Sequence, residues 1–270
     1  MGSKCPSGQD WRGHLLLIHS SEQERRTAVT AWATRGLHLG EKVVYIEAPD
    51  EAPARALLGL LGAQQARVDD AVVRGQLEVV EADRDVLSPQ GLADVVERAV
   101  RQGYRCVRIS GEATTARAVI PAQAQEELEQ ATDLLCHTQP VSVMCQYPEE
   151  LVGETLAVVS GMHRDGIRQS LLRTARRPGG VVVAGEVDIS NHDVLRSALQ
   201  AASAGADSLV VDLSALTFLD VSGARALLAG TAVHRRGGGR VRLSGAAPQV
   251  QRALQVSGVR DAEALEVDGS

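Results

Sequence analysis

Leu209-Val210-Val211-Asp212-Leu213, Leu219-Asp220-Val221-Ser222-Gly223 and then Ala224, Leu227, Leu228 and Thr231 decide the fold of the last third of the chain. The first five residues make an apolar strand. The last four recur at i, i+3, i+4 and i+7, which is one face of a helix. Residues 219–223 are therefore expected to form a strand-to-helix loop. A helix start leaves N–H groups without intrahelical partners and carries partial positive charge, so an anion or a side-chain oxygen is favoured there. Asp220 and Ser222 supply such oxygens.

Outward from this loop, Leu171 to Ala175 and Val181 to Val187 are apolar runs separated by Arg177-Pro178-Gly179-Gly180, a hairpin signal. Ser190-Asn191-His192-Asp193 has the Ser-x-x-Asp spacing of a helix start, followed by the apolar stripe Val194, Leu195, Ala198, Leu199 and Ala202. Beyond the central helix come Gly237-Gly238-Gly239, an alternating strand at Val241 to Leu243, and Val250, Ala253, Leu254 and Ser257 at helical spacing before Gly258. Alternating strands and helices predict helices packed on a small mixed sheet.

Gly185-Glu186-Val187-Asp188, the Val-Val-Asp-Leu-Ser run at 210–214, residues 217–223 and Gly239-Arg240-Val241-Arg242-Leu243 together resemble a STAS domain of the anti-sigma-factor antagonist type, over 170–268. The resemblance implies a protein–protein switch. The antagonist captures an anti-sigma factor, usually a histidine-kinase-like ATP-binding protein, and frees a sigma factor. In that family the partner commonly phosphorylates a Ser or Thr just after the loop Asp, which breaks the complex. Here that position is Val221, whose isopropyl group takes no phosphate. Ser222 is the nearby hydroxyl, read first as a helix-cap hydrogen-bonder and second as a phosphorylation site. Leu219, Asp220, Val221, Ser222, Gly223 and Arg225 are the expected partner-binding residues. Gly223 is expected at the surface, so that a glutamate there would disturb docking and not folding.

The first 165 residues carry a second alternation. His14 to His19 reads as a buried strand, Val29, Trp32, Ala33, Gly36 and Leu37 as a helical face, and Val43 to Ile46 as the next strand. This β-α-β unit implies a parallel sheet. It continues through the strand Leu77 to Val80, a helix bearing Leu92, Val95, Val96, Ala99 and Val100, the strand Cys106 to Ile109, a helix with Leu128, Ala131 and Leu135, and the strand Val141 to Cys145. A doubly wound α/β fold follows. Its first strand-to-helix loop, residues 19–27, has neither the glycines nor the lysine of a phosphate-binding loop, and places Glu22 and Glu24 where a nucleotide's charge would sit. Ser20 or Ser21 reads as a helix cap, with Glu24 three residues after Ser21 for a capping box.

His14 to His19, Trp32 to Gly40 with Glu41 to Ile46, Arg108 to Glu112, and Val143 to Tyr147 resemble a MEDS domain, a sensory module related to RecA-like clock ATPases with an eroded phosphate loop, over 11–165. The resemblance implies signal sensing, attributed in some members to small hydrocarbon-like compounds. The Tyr-Asp-Arg usual after Cys-Gln is Tyr147-Pro148-Glu149 here.

The chain has 270 residues, enough for two cores, and a formal charge of −6, with neither half basic, so nucleic acid is a poor partner. Only Lys4 and Lys42 are lysines in an Arg-, Ala-, Gly- and Val-rich composition, the bias of a GC-rich bacterial genome. No apolar run has the length of a membrane span and the N-terminus lacks a signal-peptide core, so a cytoplasmic protein is expected. Cys5, Cys106, Cys136 and Cys145 lack C-x-x-C spacing and are expected as free thiols. Cys136, His137 and Cys145 are weighed as zinc ligands and set aside, because Cys106 and Cys145 read as strand hydrophobes. Glu112 is expected as a solvated loop carboxylate. His163 is expected at a helix end, in a short polar connector of residues 163–169.

The expectation is a non-enzymatic two-domain regulator without metal or cofactor: a sensory domain responding to a small-molecule signal, joined to an anti-sigma-factor antagonist domain. A nucleotide-binding ATPase or kinase and an oligomeric signalling scaffold, a homo-oligomer, are the alternatives.

Overall fold

The computed structural model describes residues 12–49, 57–61 and 65–268. The sequence expectations for Met1 to Asp10, Cys5 included, and for Gly269 and Ser270 fall outside these residues. The chain forms two compact units, Met1–Leu151 and Val152–Ser270.

The first unit contains β1 (His14–His19), α1 (Glu22–His38), β2 (Lys42–Glu47), α2 (Leu57–Leu60), α3 (Gln65–Val73), β3 (Leu77–Glu81), α4 (Pro89–Arg101), β4 (Val107–Glu112), α5 (Ala113–Val119), α6 (Ala122–Thr138) and β5 (Val141–Pro148). Its five strands are all parallel, in the order β1-β5-β4-β2-β3. Parallel strands need crossovers, and the crossover helices cover both faces, which is why β1 and β2 are apolar almost throughout. Ala28, Val29 and Trp32 of α1 pack with Leu15, Leu17, Val43 and Met144 in one core. Leu92, Val95 and Val96 of α4 and Leu128 of α6 pack with Val44, Val107, Ile109 and Val143 in the other.

A charged bundle is buried at the sheet's N-terminal end. Arg108 Nε lies 2.5 Å from Glu41 Oε2, its Nη1 donates to the Trp32 carbonyl at 3.3 Å, and its guanidinium stands 5.1 Å from the Trp32 ring centroid. Arg12 pairs with the other Glu41 oxygen at 2.5 Å. Charges taken from water are tolerated only when paired and hydrogen-bonded.

After the short helix α7 (Glu149–Val152), the second unit comprises α8 (Leu156–Met162), β6 (Gly166–Gln169), β7 (Leu172–Arg177), β8 (Gly180–Val187), α9 (His192–Ser203), β9 (Ser208–Leu219), α10 (Val221–Arg236), β10 (Arg240–Ser244), α11 (Pro248–Val256) and β11 (Leu265–Val267). The strands run β6-β7-β8-β9-β10-β11; β6-β7 and β7-β8 are antiparallel and the remaining pairs parallel. The β7–β8 hairpin turns on Pro178 and Gly179, whose φ of 73° supplies the positive dihedral such a turn requires. The mixed sheet agrees with the expected STAS-like fold class.

Several local expectations are corrected. The polar connector contains a strand: β6 pairs with β7, and Ile167 is fully buried. Val267 ends β11, alongside Leu243 of β10. Asn191, not Ser190, precedes α9, and its amide ties back to the Asp188 N–H at 3.1 Å and the Glu186 carbonyl at 3.0 Å. Cys106 sits just before β4, outside the ladder, and is disulfide-bonded; Cys136 and Cys145 are free thiols.

The buried bundle makes a testable prediction. Arg108→Met leaves the Glu41 carboxylate short of a partner inside the protein and should cost about 3 kcal/mol in urea unfolding followed by tryptophan fluorescence. Arg98→Ala, which removes a half-exposed partner of Glu78, should cost no more than about 1 kcal/mol.

Candidate functional site

The strand-to-helix loop of the second unit is shorter than the sequence suggests. Leu219 ends β9, Val221 already begins α10, and Asp220 alone is the N-cap. Asp220 Oδ1 accepts from the Gly223 N–H at 2.7 Å, and the Asp220 N–H donates to the Val187 carbonyl at 3.1 Å. The cap is thus Asp220 and not Ser222, which is half-buried in the first helical turn.

The six expected contact residues divide. Leu219 and Gly223 are buried. A Cβ on Gly223 would stand 2.6 Å from Leu219 Cδ1 and 2.7 Å from Val187 Cγ1, so the expectation of a surface glycine is wrong: the helix start packs too closely on β8 and β9 for any side chain. Val221 and Arg225 are exposed. On the neighbouring loop after β8, Ile189 is 74% exposed, and Phe218 and Val221 are 47% and 48% exposed. Sequence reading missed Ile189, because a lone isoleucine before a helix looks like a staple to the core. Asp188 accepts from the Ser190 N–H and hydroxyl at 2.8 and 2.6 Å, and these bonds hold its carboxyl below the usual range.

In the first unit the crevice at the C-terminal ends of β1, β4 and β5 is the place where a parallel sheet of this kind binds ligands. Here only Ser20 and Ser21 separate β1 from α1. The Ser20 N–H and hydroxyl donate to Glu24 Oε2 at 3.0 and 2.9 Å, and the Glu24 N–H donates to Ser21 Oγ at 3.3 Å. The expected capping box forms, with its reciprocal bond moved to Ser20. Arg25, 1% exposed, points into the crevice. Its guanidinium pairs with Glu22 at 2.6 Å and Glu112 at 3.3 Å, and donates to Tyr45 Oη at 2.8 Å and Gln146 Oε1 at 3.3 Å. Burial opposes its charge, but Glu22, Tyr45 and Glu112 outweigh it and raise its pKa. Glu112 is buried, correcting the solvated reading. It also lies 3.7 Å from His19 Nε2, whose burial lowers its pKa despite this neighbour.

A second polar group lies one strand over. His14 Nε2 is 3.1 Å from Glu129 Oε2, Cys145 Sγ is 3.5 Å from His14 Nε2 and 3.7 Å from Glu129 Oε2, and the Tyr147 hydroxyl donates to Glu129 Oε1 at 2.6 Å. Burial disfavours the His14 cation, but Asp133, Cys145 and Glu129 outweigh it and raise the pKa well above that of an ordinary imidazole. Burial and Glu129 push the Cys145 thiol up to about 11. Glu129, Cys145 and Tyr147 line a mainly apolar cavity of about 60 Å³ whose other walls include Leu92, Ile109 and Leu128. No local motif announces this group, because its members come from β1, α6 and β5.

A STAS-domain family model, described as the Mlab STAS domain, matches residues 170–266. The model described as MEthanogen/methylotroph, DcmR Sensory domain, or MEDS, matches residues 13–164. No curated protein matches the chain. Among solved structures, the anti-sigma factor antagonist SpoIIAA in its unphosphorylated form is 20% identical, with a TM-score of 0.30 over 37% of this chain and 89% of that one. The flagellar accessory protein FlaH from Methanocaldococcus jannaschii is 12% identical, with a TM-score of 0.42 over 61% of this chain and 77% of that one. The MEDS match spans more than half of the chain, which therefore belongs to the MEDS sensory-domain family and carries a STAS domain after it.

Proposed function

We propose that this protein is an anti-sigma-factor antagonist whose STAS domain captures a histidine-kinase-like anti-sigma factor and thereby releases a sigma factor, under control of the MEDS domain. The observation that carries the reading is the exposed apolar set Ile189, Phe218 and Val221 beside the capped start of α10, with Arg225 one turn on. Buried Leu219 and Gly223 hold the backbone that presents this set, and Asp220 fixes the helix start. Ser222 is the one hydroxyl of the first turn of α10, and phosphate is not the switch at position 221. The small-molecule signal enters at the MEDS domain, and the apolar cavity beside Glu129 is the space for it.

The ATPase or kinase reading is disfavoured by the crevice. A phosphate would have to displace Glu22 and Glu112 from Arg25 and would meet the carboxylates of the first turn of α1. The proposal therefore includes the absence of magnesium-dependent ATP turnover, and turnover abolished by Glu112→Gln would replace it with an enzymatic function.

Binding separates the roles of the surface and buried residues. With the ATP-binding partner recovered from the source cell, Ile189→Asp and Arg225→Glu should each raise Kd at least about ten-fold, as for anchors at an interface, with unchanged urea midpoints. Gly223→Ala should instead lower the stability of the STAS domain by about 1–3 kcal/mol, the cost of overpacking. Unchanged Kd in both surface variants would place the interface elsewhere.

The switch is tested with Val221→Ser. The wild-type complex should persist in ATP, whereas the serine variant becomes ATP-sensitive when the partner is an active kinase, because a phosphate adds about −1.5 to −2 charges beside Asp220. Stoichiometric phosphate on Ser222 of the wild type, with loss of binding, would show instead that the switch has moved by one residue.

A further inference from the structure

We propose that His14, Glu129 and Cys145 form a site for a zinc-class divalent transition metal inside the MEDS domain. The three donors are an imidazole nitrogen, a carboxylate oxygen and a thiol sulfur, brought together from β1, α6 and β5. Their separations are 3.1 Å for nitrogen to oxygen, 3.5 Å for nitrogen to sulfur and 3.7 Å for oxygen to sulfur. A tetrahedral zinc ion with ordinary bond lengths would place such donors about 3.3 to 3.6 Å apart. Each edge lies within about 0.2 Å of that range.

Charge and surroundings support the same assignment. A neutral imidazole, a carboxylate and a thiolate balance a divalent cation, so the loaded site is neutral where burial penalises net charge. Donors with nitrogen and sulfur select zinc-class ions over magnesium or calcium, which take oxygen ligands. Outer groups orient the ligands. Tyr147 donates to the second Glu129 oxygen at 2.6 Å, the kind of outer bond that orients a ligating carboxylate, and Asp133 Oδ1 lies 3.7 Å from His14 Nδ1. Glu129 and Cys145 also line the apolar cavity, whose walls keep bulk water from the donors. The site stands independently of the anti-sigma-factor reading.

Cobalt is the probe, because a thiolate bound to tetrahedral cobalt absorbs in the near ultraviolet and gives visible d–d bands. The full-length chain, treated with chelator and kept non-reducing so that the Cys106 disulfide persists, is titrated with cobalt and then with zinc against a chromogenic chelator. The expected result is one ion per chain, with thiolate charge transfer that zinc abolishes. Cys145→Ser should remove the charge-transfer band, and Cys136→Ser should retain it. Tyr147→Phe, which keeps the fold's apolar contacts should the cysteine variant be unstable, should weaken zinc binding by about ten- to a hundred-fold. Absence of a thiolate band in the wild type, or equal zinc affinity in wild type, Cys145→Ser and Tyr147→Phe, would overturn the site and leave an internally hydrogen-bonded cluster. Partner binding is not measured, so failure here leaves the antagonist reading untouched.

Discussion

The MEDS domain holds a buried positive charge in the crevice at the C-terminal ends of its strands. Arg25 is held by Glu22 of its own helix, Glu112 at the end of β4, Tyr45 of β2 and Gln146 of β5. Gln146 in turn donates to Ser110 Oγ at 2.9 Å, and Ser110 donates to the Met144 carbonyl at 2.7 Å. Each member of this chain of bonds satisfies the next, which is the condition under which a polar network inside a protein stabilises. The network fills with the protein's own side chains the crevice at the strand ends, where parallel sheets of this kind bind ligands.

That replacement moves the available chemistry sideways. With the strand-end crevice occupied by Arg25, an apolar cavity lies over β4 and β5, lined by Glu129, Cys145 and Tyr147, with His14 behind Glu129 and Cys145. A cavity of about 60 Å³ exceeds the roughly 10–15 Å³ that one water needs, yet it is far smaller than the roughly 300 Å³ and more of pockets for drug-sized ligands. In the proposed function, a cavity of this size with apolar walls takes a small signal, and its polar corner is where that signal would be recognised.

Much of this architecture was legible in the sequence, and the failures have physical reasons. The strands β1 and β2 are buried almost throughout, so they appear as apolar runs, and α4 repeats its apolar residues at helical spacing. By contrast β6 and β11 are four and three residues long, too short for a pattern to declare itself. The helices α2 and α3, and α5 with its alanines and threonines, lack a strong apolar stripe and escaped notice. Glu112 was misjudged because its partner lies 87 residues away on α1. Gly223 was misjudged because a polar cap beside it suggests surface, whereas the close approach of Val187 and Leu219 is a tertiary fact. The grouping of Cys145 with His14 and Glu129 was invisible for the same reason, since the three come from β5, β1 and α6.

At the STAS domain the same cap explains why phosphate at position 221 would act as a switch in a chain that had an acceptor there. A helix start ordinarily welcomes an anion, because its free N–H groups carry partial positive charge. Here Asp220 already occupies that role through the Gly223 amide. A phosphate on the next residue would find the helix start partly neutralised and a carboxylate at its side, so its charge would be expressed outward, toward whatever covers Ile189 and Val221. An apolar docking surface tolerates such a charge poorly. Under the proposed function, valine in that place keeps the surface apolar whatever the state of a partner kinase. In the proposed mechanism control must then arrive from elsewhere in the chain, and the MEDS domain is the part of it whose family is built for sensing.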